Sequence, residues 1–231
     1  MKRKLLVGVL AGMLVLQMAG GSVWAAEAAQ DETVSESAQE EIEAEDEKFA
    51  TGSMEGQSYV QEFFGCRVDL GEGWVFADEE QLKTMNSQVG DAGSDVIKDA
   101  VDSGTSYLDM YAENADTYQT VNATITKLSI LEAVSFSTNM DGVISQMIEP
   151  AKAEIEKVGL TGAEVTKDET TFLGETVPCV KVVSYPESMG GEIPIYQTQV
   201  YLKEGTYLCT ITATAYVEDT TADVLAMCSR I

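Results

Sequence analysis

The chain contains no histidine in 231 residues. That absence removes Ser-His-Asp and Cys-His catalysis, histidine zinc sites and histidine-based pH sensing together. Its four cysteines, Cys66, Cys179, Cys209 and Cys228, form no C-x-x-C, so neither a thioredoxin-like redox site nor a zinc ribbon is indicated. A G-x-S-x-G elbow, an S-x-x-K pair, a phosphate-binding P-loop and a G-x-G-x-x-G turn are also missing. Positive charge is scarce: 14 lysines and arginines stand against 39 acidic residues, a formal net charge of −25. A chain this acidic repels the phosphates of nucleic acid and anionic membrane surfaces, so neither is an expected partner.

What is present begins with an address. Lys2, Arg3 and Lys4 precede an apolar or glycine run from Leu5 to Leu16, and the small-residue exit Val23-Trp24-Ala25 follows. This is the layout of a secretory signal peptide cleaved after Ala25. Leu5 to Ala26 is long enough to serve instead as an uncleaved anchor, but Gln17, the glycines and the Val-x-Ala exit favour cleavage. The mature protein is therefore expected in the extracellular space or at the cell envelope. Export permits disulfides, and four cysteines allow three pairings. Cys66 and Cys209 alternate with apolar neighbours, which favours buried free thiols over bridges.

Three regions follow from composition: a signal peptide at 1–25, an acidic disordered linker at 26–54, and a single globular α+β domain at 55–231. Ala26 to Ala50 holds ten acidic residues and one lysine, too little apolar surface to offset the entropy of ordering. The domain opens on FFGCRVDLGEGWVF. Phe64, Cys66, Val68 and Leu70 share one strand face, with Arg67 and Asp69 on the other. Gly71 and Gly73 make the turn, and Trp74 is expected to fold back over the sheet edge. Asp78 with Gln81 reads as a helix-capping pair. Tyr107–Ala112 and Val121–Leu128 read as paired strands, and a short helix is expected over Asp95–Val101.

Ser137 to Val158 carries a helical stripe of Met140, Val143, Ile144, Met147, Ile148, Ala151, Ile155 and Val158. Pro150 predicts a kink or restart within it. Two hairpins are then expected, turning at Gly174-Glu175 and Glu204-Gly205. A closing helix over Asp219–Ile231 would bury Val224, Met227, Cys228 and Ile231. Hairpin-joined strands with helices laid over them define an α+β domain on an antiparallel sheet.

Paired carboxylates are the one catalytic chemistry left open, which makes an extracellular hydrolase the alternative to a non-enzymatic binding module. A divalent-cation-binding surface protein is a third reading, although no coordination spacing is present and no metal ligand or cofactor is assigned. The binding candidates are Trp74, Tyr107, Asp109, Tyr111 and Glu113, joined nearby by Asp116 and Tyr118. An aromatic–acidic patch of this kind suits a cation, a peptide or another small ligand. Asn122-Ala123-Thr124 matches a glycosylation sequon but falls in an expected strand.

The order of elements resembles a known family. Gly65, Leu70, Gly73 and Trp74 form a G-x-x-x-x-L-x-x-G-W pattern. An acidic helix start, the D-M-Y-A strand at Asp109–Ala112, the strand VNATITKL, a long amphipathic helix and a final hairpin follow. Over residues 57–231 this is similar to the PsbP-like fold of exported, mostly uncharacterised proteins of anaerobic Gram-positive bacteria. Gly71 stands where that family carries a proline. The resemblance implies a sheet sandwiched between helices (an α/β/α sandwich) and a non-enzymatic role, and it brings no catalytic residues.

Overall fold

A computed structural model describes residue 42 and residues 44–92, 95–157, 160–187 and 190–231. The expected signal peptide with Ala25, most of the 26–54 linker, and Val158 lie outside the described residues. The chain is of the α+β class, built on antiparallel sheets.

A four-stranded sheet is formed by β1 (Ser53–Glu55), β2 (Ser58–Gln61), β3 (Cys66–Asp69) and β11 (Cys228–Arg230), in that spatial order. A seven-stranded sheet contains β4 (Trp74–Phe76), β5 (Ser106–Asn114), β6 (Gln119–Lys127), β7 (Leu160–Phe172), β8 (Glu175–Pro186), β9 (Ile195–Glu204) and β10 (Tyr207–Tyr216). Its spatial order is β4-β5-β6-β10-β9-β8-β7. The helices are α1 (Glu79–Ala92), α2 (Asp95–Asp102), α3 (Ile130–Lys157) and α4 (Thr221–Leu225).

The opening stretch folds as its alternation requires. Phe64, Cys66, Val68 and Leu70 are all buried, while Arg67 bridges the exposed Asp69 at 2.7 Å. Gly73 carries φ +87°, a conformation that any Cβ would strain. Trp74 is placed differently from expectation: it starts an edge strand, opposite Asn114 of β5, and is buried between the two sheets. Asp78 and Gln81 cap α1 reciprocally, each backbone N–H donating to the other's side chain at 2.8 Å.

The sheet order follows from one long connection. After β6 the chain runs through α3 to the far edge, and β7, β8, β9 and β10 return as consecutive hairpins until β10 pairs with β6. The β7–β8 turn places both Leu173 (φ +52°) and Gly174 (φ +82°) in the left-handed region, the conformation that matches the twist of a two-residue hairpin. Helix α3 buries Val143, Ile144, Met147, Ala151 and Ile155 against Val165, Val180, Val182 and Ile195. Its break falls at Asn139 (φ −150°, ψ +55°), and the helix runs through Pro150 without the kink expected there. The Asn139 side chain accepts from the Gly142 N–H at 3.0 Å and so restarts the helix.

The C-terminus corrects a second expectation. Helix α4 ends at Leu225, and Cys228–Arg230 forms β11 instead of continuing the helix. Strand β3 had an unpaired edge, and β11 fills it, with Cys228 opposite Val68 and Arg230 opposite Cys66. Ile231, expected inside, is 58% exposed. Ordered contacts also begin before residue 55. Glu45 and Asp46 accept hydrogen bonds from the Gly205 and Thr206 N–H groups, and Phe49 stacks on Tyr207 at 3.7 Å. These acidic residues act as a latch on the β9–β10 turn.

Candidate functional site

The expected aromatic–acidic patch is divided by the edge of the seven-stranded sheet. Tyr107 and Asp109 line a cavity of about 670 Å³, shared with Thr51, Tyr59, Lys83 and Asn86, between the first hairpin and α1. Asp109 sits at a register shift between Leu108 and Met110, a bulge that re-aims its side chain. Its carboxylate accepts from the Gly52 N–H at 2.8 Å, the Tyr59 hydroxyl at 2.5 Å and the Gln61 amide at 3.4 Å. Asp109 thus ties the small sheet to the large one. Burial pushes the Tyr59 and Tyr107 phenols well above their ordinary range, with the nearby Asp109 charge adding to it.

Tyr111 and Glu113 lie on the other side. Tyr111 is buried beneath α1 with Leu108 and Val89. Its phenol is raised first by burial, then by the charge of Glu113 and by Tyr216. Trp74 belongs to the intersheet core, against which Tyr107 also packs. Tyr118 is 67% exposed in the β5–β6 turn.

Between these groups lies a feature that sequence reasoning did not single out. The register places Thr124 opposite Thr210 and Thr210 opposite Tyr201, with Asn122–Thr212–Gln199 forming the next row and Thr120–Thr214–Gln197 the third. These nine residues occupy one face of β6, β10 and β9, and none is more than 7% exposed. The intervening residues Val121, Ala123, Ile125, Val200, Cys209, Ile211 and Ala213 face the opposite way, into the intersheet core. Sequon residue Asn122 is accordingly buried.

The polar face is only partly satisfied. The Tyr201 hydroxyl donates to Gln199 and the Gln197 amide donates to Thr214, both at 3.4 Å, and Ser106 bonds Thr126 at 2.9 Å. Thr124 Oγ1, Thr210 Oγ1, Gln197 Oε1 and Ser184 Oγ are buried with no hydrogen-bond partner among the described residues. A buried polar atom left unpaired costs about 1–3 kcal/mol, so native structures rarely tolerate it without water or ligand. Helices α1 and α2 pack along β5 and α3 along β7, β8 and β9, flanking the polar rows on either side.

Other reactive groups are quiet. All four cysteines are buried free thiols. Burial pushes the Cys179 thiol up to about 11. Hydrogen bonding to Cys228 holds the Cys66 thiol below its ordinary value. Among the described residues no cluster of three or more histidine, cysteine or acidic side chains is placed to hold a metal ion, and no helix is long and apolar enough to cross a membrane. Fold and site together define an α+β domain with an uncharged polar surface inside it. Neither a protein-family model nor a curated protein matches the chain.

Proposed function

We propose that the mature chain is an exported, non-enzymatic binding module of the cell envelope or extracellular space, built as a PsbP-like sandwich. Export rests on the leader ending at Ala25, and the sandwich on the resemblance over residues 57–231. One observation carries the binding role: the Thr124–Thr210 pair and Gln197 present buried polar atoms that nothing in the described chain satisfies. Hydroxyl and carboxamide side chains hold and orient a ligand, but they are weak general acids and bases at neutral pH. The partner is therefore a molecule retained rather than transformed.

The test uses the purified secreted protein, with side-chain amide resonances of Asn122, Gln197 and Gln199 followed as a panel of uncharged small molecules is added. Shifts confined to those amides support the reading. Hydrolysis of any panel member, or a melting shift with millimolar calcium alone, would favour the carboxylate hydrolase or the cation-binding protein instead.

A further inference from the structure

We infer that the cavity between the first hairpin and α1 is a site for an organic ammonium, a primary amine carried on an apolar body. The site is separate from the polar rows and goes beyond the binding role drawn from them. At about 670 Å³ the space falls in the range of small-molecule sites. Half-buried Phe76, Leu82 and Tyr107 line it, together with buried Leu108 and Met110.

Asp109 is the carboxylate built into this wall. Three neutral donors, the Gly52 N–H, the Tyr59 hydroxyl and the Gln61 amide, all reach one of its oxygens, Oδ2. Oδ1 accepts nothing from the described residues, yet it is not sealed away from solvent. No described lysine or arginine forms an ion pair with Asp109. The cradle is specific: a Cβ at Gly52 would strike the Tyr59 ring, so only glycine brings this N–H to Asp109. The carboxylate is thus held in position before a ligand arrives, which spares the cost of ordering it on binding.

The other charges around the cavity fix the sign of the ligand. Asp78 and Glu79 add two carboxylates, against the exposed Lys83. Together they outweigh the partial positive charge, roughly half a unit, of the α1 N-terminus. An anion would meet three carboxylates. A neutral apolar molecule would cover the Asp109 charge without pairing it, at a desolvation cost. A bare metal ion needs several converging ligands, and no such cluster exists among the described residues. A primary ammonium donates to Oδ1, and the Tyr107 hydroxyl, with no hydrogen-bond partner among the described residues, accepts a second N–H. The apolar body then covers Phe76 and Leu82.

Titration of the purified protein with phenethylamine, beside 2-phenylethanol, 3-phenylpropionate and calcium, tests the proposal. The amine should shift the Gly52 amide and Leu82 methyl resonances, and 2-phenylethanol should bind at least tenfold more weakly. The propionate and calcium should leave both resonances in place. A tripeptide amide with an aromatic first residue separates a peptide amino terminus from a free amine as the natural source, and binding of either supports the site. Asp109→Asn should weaken amine binding tenfold or more. Because that change also touches the tie between the sheets, Leu82→Trp, which fills the cavity and spares the three bonds to Asp109, should abolish binding as well. If the alcohol or the propionate binds as tightly as the amine, the ammonium assignment falls. If no probe moves Gly52 or Leu82, the cavity is not a site, whatever the Asn122, Gln197 and Gln199 amides report about the polar rows.

Discussion

Strands β6 and β10 present two faces made by the same backbone, and the faces obey different rules. One holds Val121, Ala123 and Ile125 against Cys209, Ile211 and Ala213; the other holds Thr120, Asn122 and Thr124 against Thr210, Thr212 and Thr214. Both are almost wholly buried. The first face gains from leaving water, at roughly 25 cal/mol per Å² of apolar surface. The second gains little, because every hydroxyl that loses water must find another partner. Stability therefore resides mainly on one side of the sheet, and the other side adds little to it.

That contrast can be broken most sharply from the apolar side. Ile211 is fully buried, and Ile211→Ala should cost about 2–5 kcal/mol, read as a lower denaturant midpoint at unchanged slope. A loss under about 1 kcal/mol would mean that the core lies elsewhere. The next effect is set by pH. Cys179, also on the intersheet side, is held by burial at about 11, against an ordinary thiol value of 9.0. In that window the unfolded thiol has lost its proton and the folded one has not, so stability falls as pH rises from 9 to 11. Cys179→Ala should flatten this part of the pH–stability profile, and an unchanged slope would assign it to the buried Cys209 and Cys228 thiols, which are also raised well above their ordinary value, or to the buried tyrosines. The smallest effect belongs to the polar face, where Thr210→Val should move stability by less than about 1 kcal/mol, and upward if at all. A loss as large as that of Ile211→Ala would erase the distinction.

Much of the architecture was legible because periodicity reports burial of one side. The alternation around Cys66, the Asp78–Gln81 cap, the stripe from Val143 to Ile155 and both later hairpins follow from local rules. The final strand did not, since Cys228–Arg230 is extended only because β3 offers an open edge far away in sequence. The helix break was sought at Pro150 and lies at Asn139, whose side chain competes for the backbone. The candidate residues fared according to their surroundings. Tyr107 and Asp109 do share a cavity, yet the bulge that turns Asp109 depends on pairing with β6. The polar rows escaped notice for a plainer reason. Alternation in VNATITK says that one side is oily, but not whether the other meets water. Only the register, which sets five threonines of β6 and β10 beside two glutamines of β9, makes the surface visible.

The excursion through α3 has a kinetic consequence. The bond from Gln119 to Thr220, at the end of the β6–β10 seam, joins residues 101 positions apart, whereas the β5–β6, β7–β8 and β9–β10 hairpins close within a few. Closing a loop of that length carries the largest entropic toll in the sheet. The seam should thus be the last joint to zip as the polypeptide collapses, and until then β6 and β10 are both raw edges, open to pairing with neighbouring chains.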